Sequence, residues 1–272
     1  MNHSTLTTTV FSGVPRTLLL TTRARVDEHY RLHSILHDPM IAEWWPALTW
    51  DPVLDGLYQP LSQLGWALRA HIFDEIVQRH LAVQPQAVVV ELGAGLSTRY
   101  YRVGQQSHYW LELDLPEVIH LRQQFETESD RYRLIPRSVV DWSWLDEVPD
   151  GPPEQLLILA EGLLMYLEPD EVQTFITQLK QRFAGATLVF DAVGGLTRGR
   201  TAKQLASLDA PLKWFINHER DLTAMGLTVV EARSLIQEMC HYRDHIGVYR
   251  WVPWLSKLPP LRNSSLLIES RV

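Results

Sequence analysis

A chain of 272 residues with 46% hydrophobic content has material for one large domain with a sizeable core, and nothing in it resembles a disordered tail. Its formal net charge of −7 argues against the basic stripe that a nucleic-acid surface normally carries, while leaving room for a local basic pocket. The single cysteine, Cys240, excludes an intrachain disulfide and a cysteine-based zinc cluster, so no metal site is expected and Cys240 reads as a small buried hydrophobe.

Residues 14–20 hold Pro15 and Arg16 and are too short for a signal core or a membrane span. The stretch "LLILAEGLLMYL" carries Glu161 in its middle, so a soluble, cytoplasmic chain with no membrane partner is expected. Residues 1–82 read as a helical cap integral to the domain, with helical patterning over 14–82. "RARVDEHYRLHSILHDPMIAEWW" has helical apolar spacing until Asp38-Pro39 breaks it, and "WALRAHIFDEIVQRHL" places Leu68, Ile72, Ile76 and Val77 on one face.

From Ala87 onward short apolar strands alternate with helical patterns. "AVVVEL" predicts a strand and "STRYYRVGQQ" a helix; "HYWLELD" predicts a strand and "PEVIHLRQQFETES" a helix opened by Pro116. "YRLIP" is a short strand and "QLLILAE" a buried one, followed by the helix "PDEVQTFITQLKQRF" with Pro169 in its first turn, where a missing N–H costs nothing. "ATLVFDAV" is a fifth strand, "HERDLTAMG" a helix stopped by Gly226, and "LTVVEA" and "SLLIES" are the last strands. This alternation predicts an α/β fold over residues 83–272: a doubly wound, mainly parallel sheet. Residues 194–217 read as an insertion after the fifth strand and 131–153 as a polar, Trp-bearing connection. Both lie near the carboxyl ends of strands, where open α/β sheets bind ligands.

Gly93 and Gly95 match the first two positions of the dinucleotide fingerprint G-x-G-x-x-G, but Thr98 stands at the third. Glu91 is unhelpful beside a pyrophosphate, since like charges repel, and suits a cofactor that presents an ammonium and a sulfonium. The two glycines then let the backbone approach the ligand. Asp114, 19 residues after Gly95, has the spacing of a carboxylate that takes both ribose hydroxyls; a solvated strand end is the plainer alternative. Asp141 can accept from an adenine amino group with Trp142 flanking the ring, or simply cap the helix "WLDEV".

Glu91, Gly93, Gly95, Asp114 and Asp141 occur in the order of a Rossmann-like class I S-adenosylmethionine-dependent methyltransferase, which implies a seven-stranded sheet. The chain resembles the leucine carboxyl methyltransferase family, in its bacterial branch of small-molecule O-methyltransferases, which includes a polyketide carboxyl methyltransferase. The resemblance rests on "GVPRTLLLTTRAR", "DPMIAEW", "RAHIFDEIV", "VVVELGAGLSTR", "LELDLPEVIHLR", "VVDWSWLDEV" and "EGLLMYLEPDEV", which span roughly residues 13–192. It implies that Arg69 holds the methionine carboxylate of the cofactor, helped by Arg25 with Arg23 close by, and that Glu161 faces the methionine end. Ser97 stands where the family pattern has Asp; serine can still cap the helix but brings no charge to the site.

Methyl transfer is an in-line displacement that needs alignment and exclusion of water. A carboxylate acceptor, with a pKa of about 4, needs only a polar clamp, whereas a phenol, with a pKa of about 10, benefits from a base. Arg198, Arg200 and Tyr166 are candidates for the clamp. His218, followed by Glu219, is the candidate base, with His241 and His245 behind it. Residues 214–217, holding Trp214 and Phe215, and residues 43–50 are candidate aromatic walls, core packing being the alternative. The expected function is methyl-ester formation on a small, polyketide-like or other secondary-metabolite acid by a monomer or homodimer. Phenol methylation and a catalytically silent cofactor-binding module are the alternatives.

Overall fold

The computed structural model describes residues 13–249 and 251–272. Its N-terminal part contains helices α1 (Leu18–His29), α2 (Pro39–Trp44) and α3 (Pro60–Val83). Strands β1 (Val88–Leu92) and β2 (Tyr109–Asp114) follow, then α4 (Pro116–Arg122) and β3 (Tyr132–Pro136). Next come β4 (Leu156–Ala160), α5 (Pro169–Phe183), β5 (Thr187–Val193), α6 (Arg200–Ala206) and α7 (Glu219–Ala224). The chain closes with β6 (Thr228–Ser234), the short helices α8 (Leu235–Glu238) and α9 (Pro259–Arg262), and β7 (Ser265–Arg271).

The seven strands form one sheet in the order β3-β2-β1-β4-β5-β7-β6. The first five are parallel, and β7 runs antiparallel to both β5 and β6. Every residue of β1 and β4 is buried, as expected for central parallel strands covered on both faces, and their apolar runs follow from that. One face packs against α5, whose Val172, Phe175, Ile176 and Leu179 meet Val90, Ile158 and Phe190. On the other, α3 presents Leu64, Leu68, Ile72, Ile76 and Val77 to Val89, Leu159 and Val189. The expected stripe of α3 is therefore the one buried.

A third apolar cluster joins α1 to α2 and reaches Leu96, Val118 of α4, and Leu205 and Leu208 of the segment after β5. The cap and the insertion thus share one core above the carboxyl ends of the strands. The strand order reverses between β1 and β4, which opens a crevice at their carboxyl ends. Three predicted helices are shorter than expected: the first, whose pattern runs to Asp38, ends at His29. "STRYYRVGQQ" forms only a single π-helical turn at Tyr100–Gly104, and the helix from Pro116 stops at Arg122. Gly104 closes on Trp110 so tightly that a Cβ there would lie 2.6 Å from the indole ring. No helix among the described residues is long and apolar enough to cross a membrane.

Candidate active site

Side chains two residues apart on a strand share a face. Trp110, Val89, Leu159 and Val189 all face α3, so Glu112, Glu91, Glu161 and Asp191 face it too, at the carboxyl ends of four adjacent strands. Glu91, Glu112 and Asp191 are buried, and a buried carboxylate needs a partner. Guanidiniums supply it. Arg122 pairs with Glu112, and Arg99 reaches Glu91, Glu161 and, at 2.8 Å, Asp74 of α3. Arg69 of α3 spans Glu161 at 2.9 Å and Asp191 at 2.8 Å. Arg102 continues from Asp74 at 2.6 Å to Asp38 at 2.7 Å, and Arg25 of α1 ends the chain on Asp38 at 3.0 Å. From Asp191 to Arg25 the network holds one more carboxylate than guanidinium.

Above this network lies a cavity of about 900 Å³. Arg25, Arg69, Glu91 and Glu161 line it from the network, and Gly93, Gly95, Asp114 and Tyr166 line it from the turns around it. Gly93 has φ 63°, and a Cβ there would lie 2.9 Å from Leu163, so the turn admits no larger residue without a shift. Gly95 has φ 54°; its N–H donates to Asp114 at 2.6 Å and its carbonyl accepts from Arg122 at 2.7 Å. Asp114 also accepts the Leu115 N–H at 2.7 Å, which leaves lone pairs on both oxygens for further donors. Burial pushes its carboxyl above the usual range against the pull of these two amides.

Glu91 and Glu161 differ although both meet Arg99. Burial drives Glu91 upward, with Arg99 opposing, and its Oε2 is buried without any hydrogen-bond partner. Burial pushes Glu161 up as well, but Arg99 and Arg69 together overcome it and hold the group at about 2. Burial raises the Tyr166 phenol, against the influence of a hydrogen bond with Thr17 and the charge of Arg69. The donor set fits a cofactor that brings an ammonium, a carboxylate and a ribose. Glu91 Oε2 lacks a donor, Arg69 gives two of its five N–H groups to Glu161 and Asp191, and Asp114 has acceptor capacity to spare.

Several of the predicted site residues, His241 and His245 included, are not among the described residues that line this cavity. Asp141 is exposed and caps the following 3₁₀ turn by accepting the Ser143 N–H at 3.2 Å, while Trp142 packs against the α5-side core. Ser138 and Val139, just before them, line the cavity instead. Trp214 is buried against Phe190 at 6.2 Å between ring centres, as a core residue. Phe215 lies under the Arg198 guanidinium at 4.5 Å, a cation–π contact that occupies both. His218 is exposed and caps α7, where it borders a separate small pocket with Glu219 and Arg262. Arg200 opens α6, and its side chain lies outside the described residues.

Residues 43–50 do not wall the cavity either. Trp44 stacks on Phe125 at 5.1 Å, and Trp50 carries the Arg23 guanidinium at 4.4 Å. Arg23 is thereby held away from any cofactor carboxylate. Sequence reasoning missed Trp66, which does line the cavity, and Arg99, Arg102 and Asp191. A signal for Asp191 was present: an acid inside the apolar run "LVFDAV" has the same pattern as Glu91 in "VVVEL".

A family model described as leucine carboxyl methyltransferase matches residues 54–180. The chain is 30% identical to the tetracenomycin polyketide synthesis O-methyltransferase TcmP of Streptomyces glaucescens, over 95% of this chain and 96% of that one. It is 25% identical to the S-adenosyl-L-methionine-dependent methyltransferase dpfgK of Gibberella zeae, over 89% and 87% of the two chains. The solved structure of mycolic acid cyclopropane synthase CmaA1 with S-adenosylhomocysteine (SAH) covers 97% of this chain, and the chain covers all of it (100%). Its TM-score is 0.50 at 13% identity, a likeness of fold alone. With the doubly wound sheet, the glycine turn and the acids beside it, these matches identify the chain as an S-adenosylmethionine-dependent methyltransferase that belongs to the leucine carboxyl methyltransferase family.

Proposed function

We propose that this enzyme converts the carboxylate of a small, largely apolar acceptor, polyketide-like or another secondary metabolite, into its methyl ester. One observation carries the reading. Among the described residues lining the cavity there is no histidine, lysine or cysteine. The carboxylates there are engaged as well: Glu91, Glu161 and Asp191 by guanidiniums, Asp114 by backbone amides. A phenol, with a pKa of about 10, finds no free base, whereas a carboxylate arrives ionised. The relative in Streptomyces glaucescens is described as an O-methyltransferase of polyketide synthesis, which supports transfer to oxygen on such a molecule.

S-adenosylmethionine, when bound, supplies a methyl group on a sulfonium. The chain supplies everything else. Arg69 offers its remaining N–H groups to the methionine carboxylate, and Glu91 Oε2 accepts from the ammonium. Arg25 is committed to Asp38, Thr98 and the Leu96 carbonyl, so it adds positive field to the site and no free fork. Asp114 takes the ribose, and Ser138 and Val139 stand at the place expected of Asp141 and Trp142. Tyr166 brings a hydroxyl toward the acceptor carboxylate, while Thr17 and Thr197, which also line the cavity, donate theirs to the Val14 and Gly194 carbonyls. Leu57, Trp66, Met165, Leu205, Leu212 and Met239 wall the remaining space and exclude water.

The test uses methyl-labelled cofactor and a panel of hydrophobic acids and phenols. Mild alkali should release labelled methanol from the product, as an ester does and an aryl ether does not. Turnover should stay nearly flat from about pH 6 to 8, because the acceptor needs no deprotonation. Label that resists alkali, with a rate that climbs through this range, refutes the ester reading.

A further inference from the structure

We propose that Asp191 is a positioning residue that fixes the Arg69 guanidinium for the carboxylate of the cofactor's methionine part; this rests on the role given to Arg69 under the proposed function. Asp191 is 3% exposed and lies two residues beyond Val189, at a place on β5 where the α3-facing core would accept an apolar side chain. Its two oxygens have separate duties. Oδ1 accepts the Gly162 N–H at 2.5 Å, in the turn that follows β4, and Oδ2 accepts from Arg69 Nη1 at 2.8 Å. One carboxylate thus ties together three elements that meet at the cavity: α3, the β4 turn and β5.

The geometry around Arg69 shows what this tie does. Glu161 holds the Nε edge at 2.9 Å and Asp191 holds Nη1. The Gly162 backbone, at φ +66°, sits so close that a Cβ there would lie 3.1 Å from Nη2. The plane of the guanidinium is therefore set from two edges, and Arg69 lines the cavity with N–H groups to spare. An arginine held this way has given up its rotamer freedom during folding. Without Asp191 that ordering is deferred to cofactor binding, which is weakened accordingly.

A competing effect has the opposite sign. Removing the Asp191 charge relieves its repulsion of an incoming carboxylate. Asp191→Asn resolves the competition in favour of position. If the amide oxygen keeps the Gly162 N–H, the amide nitrogen is turned toward Arg69 Nη1, donor against donor, and the guanidinium is displaced from the place it must hold.

The experiment compares two ligands by calorimetry: SAH, which has the amino-acid carboxylate, and 5′-methylthioadenosine, which lacks it. Wild type, Asp191→Asn, Asp191→Ala and Arg69→Ala are measured, each with its melting temperature. We expect both Asp191 variants to bind SAH roughly 10-fold more weakly while 5′-methylthioadenosine is held unchanged. A variant that weakens on both ligands equally shows a structural role and overturns the proposal, as does one that binds SAH more tightly. If Arg69→Ala fails to separate the ligands, the role of Arg69 fails and takes this proposal with it. If Arg69→Ala separates them and the Asp191 variants do not, only the proposal for Asp191 fails.

Discussion

Arg99→Met tests whether the ionic network holds the site together. Arg99 is 1% exposed and its guanidinium serves Glu91, Glu161 and Asp74 at once. Methionine keeps most of the side-chain length and removes the charge, which leaves Glu91 with no cation of its own. Glu161 and Asp74 keep Arg69 and Arg102. Breaking a buried pair by removing one partner costs about 3–5 kcal/mol, because the other charge stays behind. At about 2–3 °C per kcal/mol for a chain of this size, the melting temperature should fall by roughly 6–15 °C.

The pH dependence fixes the cause. In the wild type Glu161 stands at about 2, below its unfolded value, so its contribution is full above about pH 4.3 and fades only as pH falls toward 2. In the variant the folded-state pKa of Glu91 rises further above its unfolded value. A group of that kind stabilises fully below the unfolded pKa and ceases to do so as pH climbs through the folded one. The deficit should therefore widen between about pH 5 and pH 8, as read by urea unfolding at both pH values. Adding Glu91→Gln should recover part of it at the higher pH, since the stranded charge is gone. A deficit below about 1 kcal/mol, or one that ignores pH, refutes the reasoning.

Other substitutions separate cofactor contacts from packing. Gly93→Ala puts a Cβ 2.9 Å from Leu163 at a positive φ, and should destabilise by about 1–3 kcal/mol while weakening SAH in calorimetry. His218→Ala should leave turnover unchanged and shift thermal unfolding by no more than about 0.5 kcal/mol, because the ring is exposed and the His218 N–H keeps its bond to Asp221. Trp214→Ala should cost about 3–5 kcal/mol with no selective change in the KM for the acceptor, because the ring is core and not wall. Saturating SAH, at about 100 times its Kd, should add about 2.7 kcal/mol to the wild type.

The strands and the two long helices were legible because periodicity and composition agreed. β3 coincides with "YRLIP" and α5 with "PDEVQTFITQLKQRF", and the apolar stripe of α3 is the buried one. Where the reading failed, tertiary contact had overridden a local pattern. "STRYYRVGQQ" has helical spacing, but Arg99 and Arg102 turn inward to carboxylates and Tyr100 stacks on Tyr132 at 4.3 Å, so only one π turn forms. Asp141 and His218 have the chemistry of site residues and the positions of caps, and nothing local separates the two uses. Trp214 shows the converse: an aromatic in an irregular segment resembles a pocket wall until its neighbours, Ala210 and Ile216, prove buried.

The network bears on the donor and on the proposed acceptor together. One surplus carboxylate among buried guanidiniums leaves the network from Asp191 to Arg25 with a negative balance, Asp114 stands beside it without a guanidinium, and Glu91 Oε2 is the network oxygen left without a partner. A cofactor with an ammonium, a sulfonium and one carboxylate carries a single net positive charge, the sign that this balance favours. In the proposed reaction the transfer removes the positive charge of the sulfonium and the negative charge of the acceptor in the same step. The buried ions therefore face the same total charge before and after, and no proton has to leave. A hydroxyl or phenol acceptor would release a proton into a wall whose carboxylates are committed and which, among the described residues, holds no histidine or lysine. The wall that suits a cationic methyl donor is thus also the wall that favours an anionic acceptor.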